Sequence, residues 1–122
     1  MNYSLNKKKI WVAGHNGMVG SATVKRLLNE NCEIITVKKN ILDLRDSGSV
    51  LRWMKSNKPE VVIIAAAKVG GIYANSNYPA EFLYDNLMMQ TNIIHCAWEC
   101  GVEKLLFLGS SCIYPRNISQ PI

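Results

Sequence analysis

No apolar run in this sequence approaches the roughly 18 residues of a membrane-spanning helix. Lys7, Lys8 and Lys9 stand near the amino terminus, but only residues 10–13 follow as an apolar stretch before Gly14. That is too short for a signal-peptide core. A cytoplasmic protein with no membrane partner is the expectation. Cys32, Cys96, Cys100 and Cys112 form no C-x-x-C pair, and His15 and His95 have no partners at zinc-ligand spacing. Cys96 and Cys100 would share one helix face as packed thiols. Neither a metal nor a disulfide is expected. Carboxylates are also few: 9 Asp and Glu against 14 Lys and Arg leave a formal charge of +5. That balance suits an anionic ligand. No aromatic-interleaved basic stretch accompanies it, which argues against a nucleic-acid partner.

Hydrophobic residues make up 48% of the chain and charged ones 19%, enough apolar surface for one small domain over residues 1–122. No repeat or low-complexity tract interrupts it. Short apolar runs alternate with helical patterns, the signature of an α/β fold with a doubly wound parallel sheet. The spacing predicts strands at residues 10–13, 33–37, 61–65 and 104–108, with a further short edge strand at 41–44. Helices are expected over 17–30, from an Asp46 or Ser47 cap to about 57, and from Pro79 to about Cys100 with Gly101 as the stop. The second strand should lie on one side of the first, and the third and fourth on the other.

The first strand-to-helix turn is the most informative segment. It reads Gly14-His15-Asn16-Gly17-Met18-Val19-Gly20, a glycine triplet directly after a strand and opening a helix. Gly14 suits the tight turn, Gly17 close backbone approach to a pyrophosphate, and Gly20 close packing of helix on sheet. Free N–H groups at the helix start would bind the anion. These features predict a dinucleotide-binding Rossmann unit. After the second strand the chain reads Val37-Lys38-Lys39-Asn40, with no carboxylate for a ribose 2′-hydroxyl. Lys39 would instead attract a 2′-phosphate, so NADP(H) is the expected cofactor. Asp43 would accept from the adenine amino group, with the backbone at Leu44 beside the ring edge.

The turn resembles that of the extended short-chain dehydrogenase/reductases. The strings Ala65-Ala66-Ala67-Lys68-Val69-Gly70-Gly71 and Gly109-Ser110-Ser111-Cys112-Ile113-Tyr114-Pro115 are more selective, and resemble the GDP-L-fucose synthase family. The segments at 78–82 and 92–95 resemble it too. The resemblance implies an NADPH-dependent enzyme that inverts two carbons of GDP-4-keto-6-deoxymannose and reduces its ketone, taking a nucleotide sugar as substrate. It implies that Ser110 donates to the ketone oxygen and that Cys112 is the epimerisation acid/base. Ala66, Leu108 and Gly109 are implied cofactor contacts, Ser111 a structural residue, and a homo-oligomer the assembly of the full-length family.

The family also uses a Tyr-x-x-x-Lys pair. Tyr73, Tyr84 and Tyr114 are followed four residues later by Asn77, Met88 and Ile118, and none qualifies. The resemblance puts the pair beyond residue 122. The expectation is therefore the amino-terminal part of such an enzyme, incomplete at its carboxyl end, with an exposed last-strand edge and no turnover on its own. Two alternatives stand beside it: another NAD(P)-dependent nucleotide-sugar epimerase or dehydratase, and a non-catalytic NADP(H)-binding module. Cys112 speaks against the first, since many relatives carry serine or threonine there.

Overall fold

The structure, a computed structural model, describes residues 3–110, 113–115 and 117–119. Four parallel strands, β1 (Lys9–Ala13), β2 (Glu33–Ile35), β3 (Val61–Ile64) and β4 (Lys104–Phe107), pair in the order β2-β1-β3-β4. The helices are α1 (Met18–Leu27), α2 (Ser47–Asn57), α3 (Ile72–Asn77) and α4 (Pro79–Glu99). The strand order reverses beside β1, as the sequence predicts.

Strand alternation divides the core into two faces. Ile10, Val12, Val61 and Ile63 pack with Leu27 of α1 on one side. Trp11, Ala13, Val62 and Ile64 pack on the other with Val50 and Met54 of α2 and Ile93, Cys96 and Ala97 of α4. Both faces of β1 and β3 are thus covered, which is why these strands read as continuous apolar runs. Each fully buried Val or Ile contributes about 1.5–3 kcal/mol relative to exposure. On β4, Leu106 and Phe107 remain 51% and 43% exposed.

Local chemistry sets the helix ends. The Asp46 side chain accepts from the Gly48 and Ser49 N–H groups and caps α2. Lys58, in the left-handed region at φ 49°, closes that helix before Pro59. Pro79 opens α4, and Gly101 at φ 70° terminates it.

The structure corrects the sequence reading at several places. Residues 41–44 form no strand. Ile41 and Leu42 donate back to the Lys38 carbonyl in a turn, and only Leu42 is buried, while Ile41 is exposed. Leu42 instead packs in the core with Trp11, Val50 and Met54, and the segment pairs with no strand. β2 stops at Ile35, and Val37 packs into the core without pairing. α1 stops at Leu27, because Leu28 turns outward and the next two N–H groups bond back to Arg26 and Leu27. The short helix α3 was not expected. None of its residues is buried, so it leaves no apolar stripe to read.

Candidate functional site

The loops that follow β1, β2 and β3 meet at the carboxyl end of the sheet and enclose a cleft of about 330 Å³. Gly14 and Gly17 form its edge below α1, Lys39 and residues 42–45 come from the loop after β2, and Ala66 and Lys68 from the loop after β3. Asp85 and Met89 of α4 complete it. Clefts of this size, at the switch point of a parallel sheet, are where such folds bind ligands.

Gly14 adopts φ +88°, and a Cβ there would stand 2.5 Å from the Ala66 backbone nitrogen. A Cβ on Gly20 would overlap the Gly14 carbonyl oxygen. The fold itself demands glycine at both positions. Gly17 differs: a Cβ there would meet only the Gly14 oxygen, at 3.4 Å, and its φ is −74°. The fold tolerates a side chain at Gly17, whereas a phosphate lying on the helix start would not. Gly17 is also the N-cap of α1, with no side-chain cap and no acidic residue in the first turn. The first N–H groups and the positive end of the helix dipole therefore meet no carboxylate of their own helix.

The cleft floor is apolar, built on Trp11 and Leu42 with Val37 and Leu44 beside them. Trp11 is fully buried with its ring 4.5 Å from that of Trp53, and its indole N–H has no hydrogen-bond partner among the described residues. An orphaned donor of this kind costs about 1–3 kcal/mol and suits a site completed by a ligand or water. An apolar slot next to an uncapped helix start fits a dinucleotide: the base in the slot, the pyrophosphate on the helix.

Charge in the cleft is organised around two aspartates. Asp43 accepts from Arg45 through its backbone N–H at 3.0 Å, Nε at 3.1 Å and Nη2 at 2.8 Å. These bonds hold the Asp43 carboxyl down at about 2. Asp85 accepts from Lys68 Nζ at 2.7 Å and from Arg45 Nη1 at 3.1 Å, which also lowers its pKa. The same contacts raise the pKa values of Lys68 and Arg45. Lys68 further lies 3.7 Å from Glu81 and 5.3 Å above the Phe82 ring.

Of the residues singled out in the sequence, Gly14, His15, Asn16, Gly17, Lys39, Asp43, Leu44 and Ala66 line this one cleft. Met18 and Val19 lie exposed on the first turn of α1, and Gly20 is buried against the Gly14 turn. Leu108 extends the β4 ladder by one bond to the Ile64 carbonyl, and Gly109 and Ser110 follow it outside the cleft lining. Cys112 and Ser111 lie outside the described residues. One tyrosine needs a correction. Tyr3 and Lys7 do stand four apart, but Tyr3 donates to Glu103 at 2.7 Å, beside the amino-terminal ends of β1 and β4. That is the opposite end of the sheet from the cleft. Sequence reasoning missed Arg45 and Asp85. Asp85 left a signal, a carboxylate in register with Met89, Asn92, Ile93 and Cys96 on the inward stripe of α4.

The model of the NAD dependent epimerase/dehydratase family matches residues 10–122. The GDP-L-fucose synthase of Sinorhizobium fredii is 54% identical over 120 residues, 98% of this chain and 38% of that protein. GDP-L-fucose synthase 1 of Arabidopsis thaliana is 54% identical over 115 residues, 93% of this chain and 36% of its own. Among solved structures, the GDP-D-glycero-L-gluco-heptose synthase of Campylobacter jejuni, determined in the presence of NADPH, superposes with a TM-score of 0.89 at 36% identity. It is matched over 99% of this chain and 35% of that one. The chain spans well under half the length of the curated relatives it matches.

Proposed function

Because the chain belongs to the NAD dependent epimerase/dehydratase family, we propose that its cleft binds NADP(H) as the amino-terminal, cofactor-holding part of a GDP-L-fucose synthase. The observation that carries this reading is the Gly14–Gly17 turn. The fold explains glycine at residue 14 but not at residue 17, and the uncapped start of α1 lies beside it. Lys39 would attract the 2′-phosphate, and Asp43, Leu44 and the apolar floor would receive the adenine. The relatives named above as GDP-L-fucose synthases support the substrate class.

When bound, NADPH would supply the hydride that reduces the ketone at C4 of GDP-4-keto-6-deoxymannose. The protein's own part is to hold that carbonyl. Ser110, three residues past the end of β4, would donate to the ketone oxygen. The carbons inverted in this reaction, C3 and C5, flank the ketone, so polarising its oxygen acidifies their protons as well. Cys112 would exchange those protons, since a thiol with an ordinary pKa near 8.5 needs only modest help to do so near neutrality.

The chain alone is proposed to bind NADP(H) without turnover. No tyrosine–lysine pair stands at the carboxyl end of the sheet among the described residues to deliver the ketone proton. In the full-length assembly we assign a homo-oligomer. Leu83, Leu87, Ile94 and Trp98 leave an exposed apolar stripe on α4 that suits such packing. A cytoplasmic location accompanies this reading.

Titration of the purified chain with NADPH and NADH, followed by addition of GDP-4-keto-6-deoxymannose, tests the proposal. NADPH binding without ketone reduction is the expected result. A folded sample that binds neither nucleotide overturns the cofactor assignment, and turnover overturns the inactivity.

A further inference from the structure

We propose that Asp85 is a positioning residue for the adenosine half of the cofactor, acting through Arg45 on Asp43. The inference rests on the cofactor reading above.

Asp85 sits on the inward face of α4, with its side chain only 13% exposed. A carboxylate in such a place persists only when it is paired. Its two partners come from different loops. Oδ1 accepts from Arg45, which follows β2, and Oδ2 accepts from Lys68, which follows β3. One helix side chain therefore fastens together two walls of the cleft. Arg45 turns its remaining donors on Asp43, engaging both carboxylate oxygens and adding a backbone bond. Asp85 thus fixes the guanidinium, and the guanidinium fixes the orientation of the Asp43 carboxylate at the base slot.

The loop backbones have separate anchors. Asn92 Nδ2 donates to the Leu44 carbonyl at 3.0 Å. The Asn86 side chain clamps Lys68 in both directions, accepting from its N–H at 2.7 Å and donating to its carbonyl at 2.9 Å. Loss of the Asp85 charge would leave both loops attached to α4 and release only the Arg45 and Lys68 side chains. Its function is therefore separable from folding.

Simple electrostatics makes the opposite prediction. Lys39, Arg45 and Lys68 all line the cleft, and the ligand is a multiple anion. Removing one carboxylate makes the cleft more positive. If Asp85 served only to balance charge, Asp85→Asn would tighten binding. If it positions Arg45, binding weakens despite the added positive potential.

The test uses the 122-residue chain with Asp85→Asn, Arg45→Met and the double variant, titrated with NADPH and with adenosine 2′,5′-bisphosphate. Asp85→Asn should weaken both ligands by the same factor, about tenfold. The double variant should bind no more weakly than Arg45→Met, because the two residues act in series. Unchanged or tighter binding by Asp85→Asn overturns the proposal, as do additive losses. Should Asp85→Asn lose its far-ultraviolet dichroism, Arg45→Met carries the test, since the Arg45 side chain is 45% exposed. Undiminished binding of the bisphosphate by that variant overturns the proposal. If the wild-type chain binds neither ligand, the cofactor reading falls and this one with it. Binding by wild type that Asp85→Asn matches removes only the positioning role.

Discussion

Gly14 and Ala66 meet backbone to backbone: a Cβ on Gly14 would lie 2.5 Å from the Ala66 nitrogen and 2.6 Å from its Cα. Neither neighbour is the end of a flexible side chain. Relief would require the ends of β1 and β3 to separate, although these strands pair in register up to Ala13 and Ile64. The φ of +88° adds backbone strain for any residue but glycine. Gly14→Ala is therefore expected to lower the melting temperature and abolish NADPH binding together. A Gly14→Ala chain that melts like wild type would show that the two loops yield more readily than this contact implies.

Gly17 supplies the contrasting variant. At φ −74° an alanine is unstrained, and its Cβ would approach the Gly14 oxygen no closer than 3.4 Å. Replacing a glycine N-cap with alanine costs within about 1 kcal/mol. Gly17→Ala should therefore melt close to wild type yet lose at least about tenfold in NADPH affinity, because its methyl group occupies space at the helix start. Wild-type affinity in that variant, measured by fluorescence titration, would mean the pyrophosphate does not lie on α1.

The parts of this protein that were legible in the sequence are those dictated by local chemistry. β1 and β3 announced themselves as short apolar runs because both of their faces are covered. The Asp46 cap, Pro79 and Gly101 marked helix ends through backbone requirements that hold in any fold. The turn from Gly14 to Gly20 was legible for the same reason, since glycine at residues 14 and 20 answers a steric demand. Long-range requirements were not legible. Residues 41–44 carry an apolar pattern but pair with no strand, and pairing cannot be read from one segment. The end of α1 was overextended because Leu28 is apolar yet faces solvent. Arg45 was missed because its meaning lies in Asp85, 40 residues away on another element.

The acidic groups give stability a definite dependence on pH. Asp43 titrates at about 2, and Asp46, Glu60, Asp85 and Glu103 are each held below the usual carboxylate range by hydrogen bonds from Arg45, Ser49, Lys8 or Lys68. A depressed folded-state pKa means that the unfolded chain binds more protons in acid. The stabilisation is complete above the ordinary carboxylate pKa of about 4 and is lost as pH falls through the folded-state values. Denaturant midpoints should hold steady from pH 7 to about 5 and drop progressively toward pH 2. A midpoint that is flat across the acid range would mean these contacts do not survive in solution.

Lys39 bears on the choice between the two nicotinamide cofactors. It lines the cleft beside Asp43, whose carboxyl it helps to keep ionised. The segment around it, Val37-Lys38-Lys39-Asn40, carries no acid to accept from a ribose 2′-hydroxyl. A charge-assisted bond to the 2′-phosphate contributes about 1.5–3 kcal/mol when well formed, and less on an exposed side chain in salt. Lys39→Ala should therefore weaken NADPH by about tenfold at low ionic strength while leaving NADH nearly unchanged. Raising the salt should narrow the gap between wild type and variant, because the interaction being removed is screened. Equal losses for NADPH and NADH would assign Lys39 to the shared part of the two molecules, and no loss for either would take it out of the site.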